Sequence, residues 1–223
     1  MWWLLTAVAW AMLPLPDYDT ALAEAEWHVL NDVMDGQCAF NPYANAVVCR
    51  EPKVLDEVIA RAEAWMTHVQ PDPGLTYLVG LAWRYKGAAD QARANWEKAI
   101  ALDPEYRAPW YDLGELLMAS GELDAAANAF AEVTRLTHDP SQAWIGPWRQ
   151  AEVAAMQHDP EAFETFMRLA LRHGFSFSQV TGLPNWQAFV ADPIMRPSVE
   201  KLISVYGTRD VIDSLRAPAT AAP

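Results

Sequence analysis

Two His-Asp-Pro triplets, His138-Asp139-Pro140 and His158-Asp159-Pro160, are the first candidates for catalytic chemistry in this sequence. An Asp beside a His could orient an imidazole for general-base catalysis. Both triplets, however, fall where helical patterns are interrupted, and there Asp favours a helix N-cap and Pro the first helical turn. No nucleophile or activated partner accompanies either His, so the pattern favours helix punctuation and indicates no catalytic residue.

Cys38 and Cys49 are the only cysteines, and turn-favouring residues, Asn41-Pro42 and Asn45, lie between them. In an oxidising compartment, a disulfide here would close a loop of about a dozen residues and add about 2–3 kcal/mol, mostly through the unfolded state. A metal site would need more ligands than the nearby His28, and two buried thiols in a cytosolic protein are the other alternative. The pair predicts a disulfide if the protein is exported.

The first sixteen residues, MWWLLTAVAWAMLPLP, form an uncharged apolar segment. The segment is short for a membrane span but has the length of a signal-peptide hydrophobic core, and Ala9-Trp10-Ala11 and Ala21-Leu22-Ala23 are possible cleavage patterns. The missing Lys or Arg before the segment departs from a signal peptide. We expect residues 1–16 to be a signal-like leader that directs export to the periplasm, with a leader packed on the first helices of a cytoplasmic protein as the alternative.

The composition limits the classes of function. The chain has 223 residues, a hydrophobic content of 52% and a net charge of −13, so one domain of ordinary size is expected. The acidic balance repels phosphate backbones and makes nucleic acid a poor candidate partner. The sequence has no Gly-rich phosphate loop, no H-E-x-x-H, no G-x-S-x-G and no EF-hand spacing. We therefore predict a protein that is not an enzyme and uses no cofactor or metal ion.

The elements that position every other residue follow from a repeat of 34 residues. Gly114, Gly121 and Ala126 each lie 34 positions after another small residue, and Phe130 lies 34 positions after Trp96. Gly inside a helical pattern indicates a close helix approach, and Gly at its end indicates a left-handed helix stop. The spacing predicts units of helix, tight turn and helix. The matching small residues of the preceding unit are Gly80, Gly87 and Ala92.

These units resemble the tetratricopeptide repeat, whose pattern runs W-x2-L-G-x2-Y, then A-x3-F, then a closing Pro. The second unit carries Trp110, Leu113, Gly114, Leu117, Ala126 and Phe130. The resemblance is specific over residues 73–140 and implies an all-α fold, an α-solenoid of stacked antiparallel helix pairs. Four tryptophans at helical spacing are expected in its core: Trp83, Trp96, Trp110 and Trp144.

A degenerate third unit follows the two clear ones. Trp144 takes the place of Trp110, and with two extra residues Phe166 takes the place of Phe130. The predicted repeats therefore cover residues 73–174. Residues 175–216 are similar to the short helices that often end bacterial arrays of this family, and would cap the last apolar face. The Ala- and Pro-rich residues 217–223 are expected to form a frayed tail.

Residues 17–72 predict an N-terminal helix pair whose turn is stretched into the Cys38–Cys49 loop. The stripe expected to face the core from the first helix consists of Leu22, Ala25, Val29 and Val33. The stripe expected from the second helix consists of Val54, Leu55, Val58, Ile59, Ala62, Trp65, Met66 and Val69.

The resemblance also implies where a partner would bind, because ligand peptides of this family usually lie on the concave face lined by the first helix of each pair. The residues predicted to contact a partner there are Tyr77, Leu81, Arg84, Tyr85, Tyr111, Glu115, Met118, Ile145, Arg149 and Glu152. Tyr, Arg and Met are enriched at protein interfaces. The Lys and Asn clamp by which some members hold a C-terminal carboxylate is missing, so that specificity is not implied.

The sequence therefore predicts a non-enzymatic adaptor or scaffold that binds a protein or peptide partner. A self-associating structural scaffold of the cell envelope is one alternative, and an enzyme without a visible catalytic constellation is the other. Membrane contact is expected only through an uncleaved leader. The identity of the partner and the oligomeric state do not follow from the sequence.

Overall fold

A computed structural model describes residues 18–41, 46–180 and 183–216. These residues form helices and one short hairpin, and the predicted all-α class of stacked helix pairs is confirmed. The chain divides into two compact units, one up to Ala88 and one from Ala89. This division falls inside the predicted repeat region 73–174. The leader at 1–16 and the tail at 217–223, as predicted from sequence, lie outside the described residues.

Among its described residues, the first unit contains three helices and a two-stranded antiparallel hairpin. Its elements are α1 Tyr18–Gln37, β1 Cys38–Asn41, β2 Ala46–Cys49, α2 Lys53–His68 and α3 Pro73–Tyr85. The predicted loop between α1 and α2 is therefore a hairpin, in which Cys38 stands opposite Cys49 at the open end. The two sulfur atoms lie within bonding distance, so the pair is compatible with the predicted disulfide.

The core of the first unit confirms one predicted stripe in part and corrects the other. In α2, the predicted residues from Val54 to Ala62 are buried. Trp65 and Met66 are only partly buried, and Val69 is exposed just beyond the end of the helix. In α1, the stripe of Leu22, Val29 and Val33 is exposed, and a different face enters the core. That face consists of Ala23, Leu30 and Met34. Both stripes recur at helical spacing, so periodicity could not distinguish the face that α2 and α3 cover.

The second unit contains eight helices and a short 3-10 turn among the described residues. They are α4 Ala89–Leu102, α5 Arg107–Ser120, α6 Leu123–Leu136, α7 Ile145–Met156, α8 Pro160–Arg172, the turn Phe177–Gln179, α9 Pro184–Ala191, α10 Arg196–Tyr206 and α11 Arg209–Arg216. Neighbouring helices from α4 to α8 pack in chain order, and α10 packs on α8 as the predicted helical cap. No helix in the described part of the chain is long and apolar enough to cross a membrane.

The glycines of the repeat have the conformations that their positions predict. Gly87 and Gly121 end α3 and α5 with positive φ angles of 78° and 81°, the region that Gly adopts without steric cost. At Gly114, an added Cβ atom would lie 2.7 Å from Cε1 of the buried Phe130. The glycines that recur every 34 residues therefore mark two helix ends and one close approach between helices.

The predicted tryptophan core is confirmed only in part. Of the four tryptophans expected there, Trp96 is buried. Trp83 and Trp144 are partly buried and pack against the core, and Trp110 is partly buried at its boundary. Trp110 keeps its indole near the surface, where Nε1 donates a hydrogen bond to the Pro104 carbonyl at 3.0 Å. An indole has a polar edge, so it can stop at the boundary of a core.

The third helix pair also differs from its predicted register. Phe163 and Met167 of α8 are fully buried, while Phe166 is only partly buried. Asp159 caps α8 by accepting hydrogen bonds from the backbone nitrogens of Glu161 and Ala162. The turn before α8 therefore places the core-facing residues of this helix one position later in the chain than the sequence predicted.

Candidate functional site

Four of the predicted partner-contact residues form one polar cluster on the first helices of two successive pairs. Tyr111 and Glu115 lie one turn apart on α5, and Arg149 and Glu152 lie one turn apart on α7. Arg149 forms ion pairs with both Glu115 and Glu152, and so connects the two helices. We call these four residues and Trp186 the Tyr111 cluster.

Arg149 lies at the centre of the cluster and is only 6% exposed. Its guanidinium carbon lies 4.8 Å from the centre of the Trp148 ring and 5.5 Å from that of Phe130. Burial by itself lowers the pKa of this guanidinium, but the carboxylates of Glu152 and Glu115 outweigh it and raise the pKa. Arg149 therefore carries a fixed positive charge, held by two carboxylates and two aromatic faces.

Glu152 is 1% exposed and has two donors. Arg149 donates a hydrogen bond to one carboxylate oxygen, and Trp186 Nε1 donates to the other at 2.8 Å. Burial raises the pKa of Glu152 above its usual range, against the opposing effect of Arg149. Because Trp186 belongs to α9, this hydrogen bond attaches the helical cap to the repeat helix α7.

Tyr111 forms the more accessible side of the cluster together with Glu115. The Tyr111 ring is partly buried and packs edge-on against Phe130, with centroids 6.0 Å apart. Burial first and the Glu115 carboxylate second raise the pKa of Tyr111 to about 12. The phenol therefore stays protonated at neutral pH and offers a hydrogen-bond donor. Glu115 keeps 33% of its side chain exposed.

The structure divides the predicted contact residues of the second unit into two groups. Tyr111, Glu115 and Ile145 are partly exposed. Met118, Arg149 and Glu152 are buried, which corrects the expectation that all six face an open surface. The physical reason is pairing: a buried charge is tolerated when opposite charges compensate it, and Arg149 is paired with Glu115 and Glu152, although its Nε has no hydrogen-bond partner among the described residues.

The remaining predicted contact residues lie on α3 in the first unit. Arg84 is exposed, and Tyr77, Leu81 and Tyr85 are partly buried. Their assignment to partner binding, like that of Tyr111 and Glu115, stays a prediction.

Three aromatic residues of this site were missing from the predicted contact set: Phe130, Trp148 and Trp186. Phe130 was assigned to repeat packing, and its second contact with Arg149 had no separate signal in the sequence. Trp148 and Trp186 lie in the irregular third unit and the cap, where repeat spacing assigns no position. For the contact between Glu152 and Trp186, the sequence offered only a Glu on a predicted repeat helix and a Trp in the cap. These two residues become neighbours only in the folded chain.

The His-Asp-Pro triplets have structural roles in the described residues. Asp159 caps α8, as predicted, and Asp139 accepts a hydrogen bond from the Ser141 backbone nitrogen at 2.9 Å in the loop before α7. His158 Nδ1 lies 2.8 Å from an Asp192 carboxylate oxygen at the surface. No group of three His, Cys, Asp or Glu side chains that could hold a metal ion occurs within residues 18–41, 46–180 and 183–216.

A comparison with protein families finds a match in the region of the predicted repeat. Residues 85–145 match the model of the tetratricopeptide repeat. This part of the chain belongs to the tetratricopeptide repeat family. Repeats of this kind serve as scaffolds for protein–protein interaction and are generally not enzymes.

Solved structures of low sequence identity share the fold over most of the chain. PilF of Pseudomonas aeruginosa is 12% identical, with 89% of this chain and 90% of that chain covered and a TM-score of 0.58. A MamA structure is 14% identical, with 90% and 96% covered and a TM-score of 0.54. A Podosopora anserina kinesin light chain with nearly identical TPR-like repeats is 13% identical, with 90% and 95% covered and a TM-score of 0.52. No curated protein sequence matches significantly.

Proposed function

We propose that this chain is a non-enzymatic adaptor that binds a segment of a partner protein on the first helices α5 and α7, with Tyr111 and Glu115 as contact residues. The observation that carries the proposal is that the Tyr111 cluster has two parts: a buried support formed by Arg149, Glu152 and Trp186, and an accessible side formed by Tyr111 and Glu115. Arg149 and Glu152 are locked by ion pairs, aromatic faces and Trp186, while Glu115 remains one-third exposed. Contact residues held by a rigid base lose little entropy on binding.

The charge of the site favours a basic partner segment. The cluster contains two carboxylates and one guanidinium, and the whole chain has a net charge of −13. A Lys or Arg of the partner could reach the exposed side of Glu115, while Tyr111 offers a phenol donor and an aromatic face. An acidic segment would meet repulsion at the same place.

The test is crosslinking in cells with conservative variants. Tagged wild type is compared with Tyr111→Phe/Glu115→Gln, which removes the phenol donor and the carboxylate but preserves both shapes. The matched control is Tyr206→Phe/Glu97→Gln, because both residues are surface-exposed in the same unit. Thermal unfolding of all three proteins identifies any loss of folding.

We expect a partner that the wild type and the control capture and the Tyr111/Glu115 variant loses. Sequencing of the crosslinked peptide should then find a Lys or Arg beside the contact. A partner that a folded Tyr111/Glu115 variant captures as well as the wild type does would contradict the proposed site.

We also propose that the protein is exported to the periplasm. The cysteine pair at the open end of the hairpin, with its sulfur atoms within bonding distance, supports this proposal, because disulfides persist in oxidising compartments. Cell fractionation, the N-terminal sequence of the purified protein and a count of free thiols would test it together. An intact residue 1 and two free thiols in the cytosolic fraction would contradict it.

A further inference from the structure

Helix α1 carries a second apolar face that no described residue covers. Leu22, Val29 and Val33 are 39%, 44% and 39% exposed, and Ala25 is exposed between them. At about 100° and 1.5 Å per residue, the three large residues fall within about 40° around the helix axis and extend over about 16 Å. We call Leu22, Ala25, Val29 and Val33 the α1 outer stripe.

The α1 outer stripe is distinct from the core of its unit. The core-facing side of α1 consists of Ala23, Leu30 and Met34, all buried. The outer stripe is therefore a separate face and not the edge of the core. A solvent-exposed helix face is normally polar, because solubility requires it. An apolar face at this position indicates a contact surface.

The spacing of the stripe fits a helical partner. Its members follow one another at intervals of three and four residues, which is the seam that two helices share when they pack side by side. A partner that binds as an added strand would need an open backbone edge, which a helix does not present. The geometry therefore favours an amphipathic helix laid along α1.

The charge around the stripe defines the chemistry of that helix. Helix α1 contains five carboxylates and no Lys or Arg, and three of the carboxylates, Asp19, Glu26 and Asp32, lie within about 80° of the stripe around the helix axis. Arg61 of α2 pairs with Glu26 only. A second copy of the chain would bring the same acidic helix and the same net charge, which disfavours self-pairing. Positive side chains beside an apolar stripe would complement this surface.

We propose that the α1 outer stripe binds an amphipathic helix of a partner protein whose apolar stripe is flanked by Lys and Arg. The proposal concerns the first unit and goes beyond the adaptor site on α5, so either could fail without the other. The proposed helix would cover Val29 at its centre and place its basic flanks near Asp32.

The test uses two synthetic helical probes and the full chain. Both probes carry the same Leu stripe at heptad spacing, and one has Lys flanks while the other has Glu flanks. Fluorescence anisotropy measures the affinity of each labelled probe. We expect the Lys probe to bind at least about tenfold more tightly than the Glu probe, because the acidic flanks of α1 attract only the former.

Two variants with the same added charge separate the stripe from general electrostatic attraction. Val29→Asp lies in the stripe, and Val48→Asp lies in the hairpin, where the side chain is 50% exposed. An added carboxylate should strengthen any nonspecific attraction to Lys. We expect Val29→Asp to weaken binding of the Lys probe about tenfold, the loss of one buried Val contact, and Val48→Asp to leave it unchanged. Val33→Asp repeats the test one turn further along.

Four results would overturn the proposal. The two Val→Asp variants could bind the Lys probe equally, or the Glu probe could bind as tightly as the Lys probe. Sedimentation over a dilution series could find a dimer that Val29→Asp abolishes, which would assign the stripe to a second copy. The full chain could bind the probe only after removal of residues 1–16, which would assign the stripe to the chain's own N-terminal segment.

Discussion

Helices α1 and α7 depart from the sequence predictions in opposite directions. In α1, the apolar residues Leu22, Val29 and Val33 were expected in the core and are exposed. In α7, Arg149 and Glu152 were expected on an accessible face and are buried. The comparison shows that helical spacing places residues on a common face, whereas the neighbouring elements decide whether that face is covered. Polarity alone does not decide it, because opposite charges can satisfy each other in a core.

The largest effect is expected from breaking the buried charge cluster. Arg149→Ala leaves Glu152 buried without its counter-charge and should cost about 3–5 kcal/mol in the free energy of unfolding. Urea denaturation followed by circular dichroism measures the loss. Arg135→Ala is the control, because Arg135 also pairs with two carboxylates, Glu105 and Glu132, but at the surface. If both variants unfold at the same urea concentration, Arg149 is not the buried centre of the site.

Two adjacent residues of α1, Leu30 and Val29, test which face of this helix lies in the core. Leu30→Ala should cost about 2–5 kcal/mol in the free energy of unfolding, because it opens a cavity in the core of the first unit. Val29→Ala should change it by no more than about 0.5 kcal/mol, because Val29 lies on the exposed face. Chemical denaturation of the two variants under one set of conditions provides the measurement. A reversed order would place the predicted stripe back in the core.

A pair of glycines compares packing in the two regions. Gly114→Ala places a Cβ atom 2.7 Å from the Phe130 ring, and the resulting overpacking should cost about 1–3 kcal/mol. An added Cβ at Gly36 in α1 meets nothing within 4 Å, so Gly36→Ala should stabilise the protein, by at most about 1 kcal/mol. Differential scanning calorimetry should therefore move the two melting temperatures in opposite directions. Stabilisation by Gly114→Ala would contradict the close helix approach.

The smallest effect is expected at the surface contact between His158 and Asp192. Backbone hydrogen bonds from Ile194 and Met195, together with the charge and hydrogen bond of His158, hold the pKa of Asp192 below its usual range. A lowered pKa in the folded state contributes stability above the unfolded pKa of about 4, and this contribution is lost as the pH falls through the folded value.

Asp192→Asn should therefore lower the melting temperature slightly at pH 7, and the difference should disappear in acid below the folded pKa of Asp192. Melting curves between pH 2.5 and pH 7 would measure it. The control is Asp210→Asn, because Asp210 is an exposed carboxylate in the first turn of α11. If the difference in melting temperature grew as the pH falls, the pKa of Asp192 would be raised in the folded state, which would contradict this account.

Much of the fold could be predicted because its signals are local. The interval of 34 residues located the helix pairs, and Gly87 and Gly121 marked helix ends whose left-handed conformation the structure confirms. The candidate site was predictable in part. Repeat register brought Tyr111, Glu115, Arg149 and Glu152 onto first helices, but it could not supply Trp186 from the cap. Trp186 lies in the cap, beyond the predicted repeats at 73–174, so the repeat pattern gave it no position beside Glu152.

The sequence by itself determined the helices, their ends, the short turns between them and the placement of two cysteines on either side of a turn, because these depend on residues within a few positions of one another. Only the tertiary structure decided that Arg149 is buried between two carboxylates and that Val29 is exposed. The physical reason is that burial is a property of the contact between distant segments. A helix has several faces whose residues recur at the same spacing, and the neighbouring elements determine which of these faces is buried.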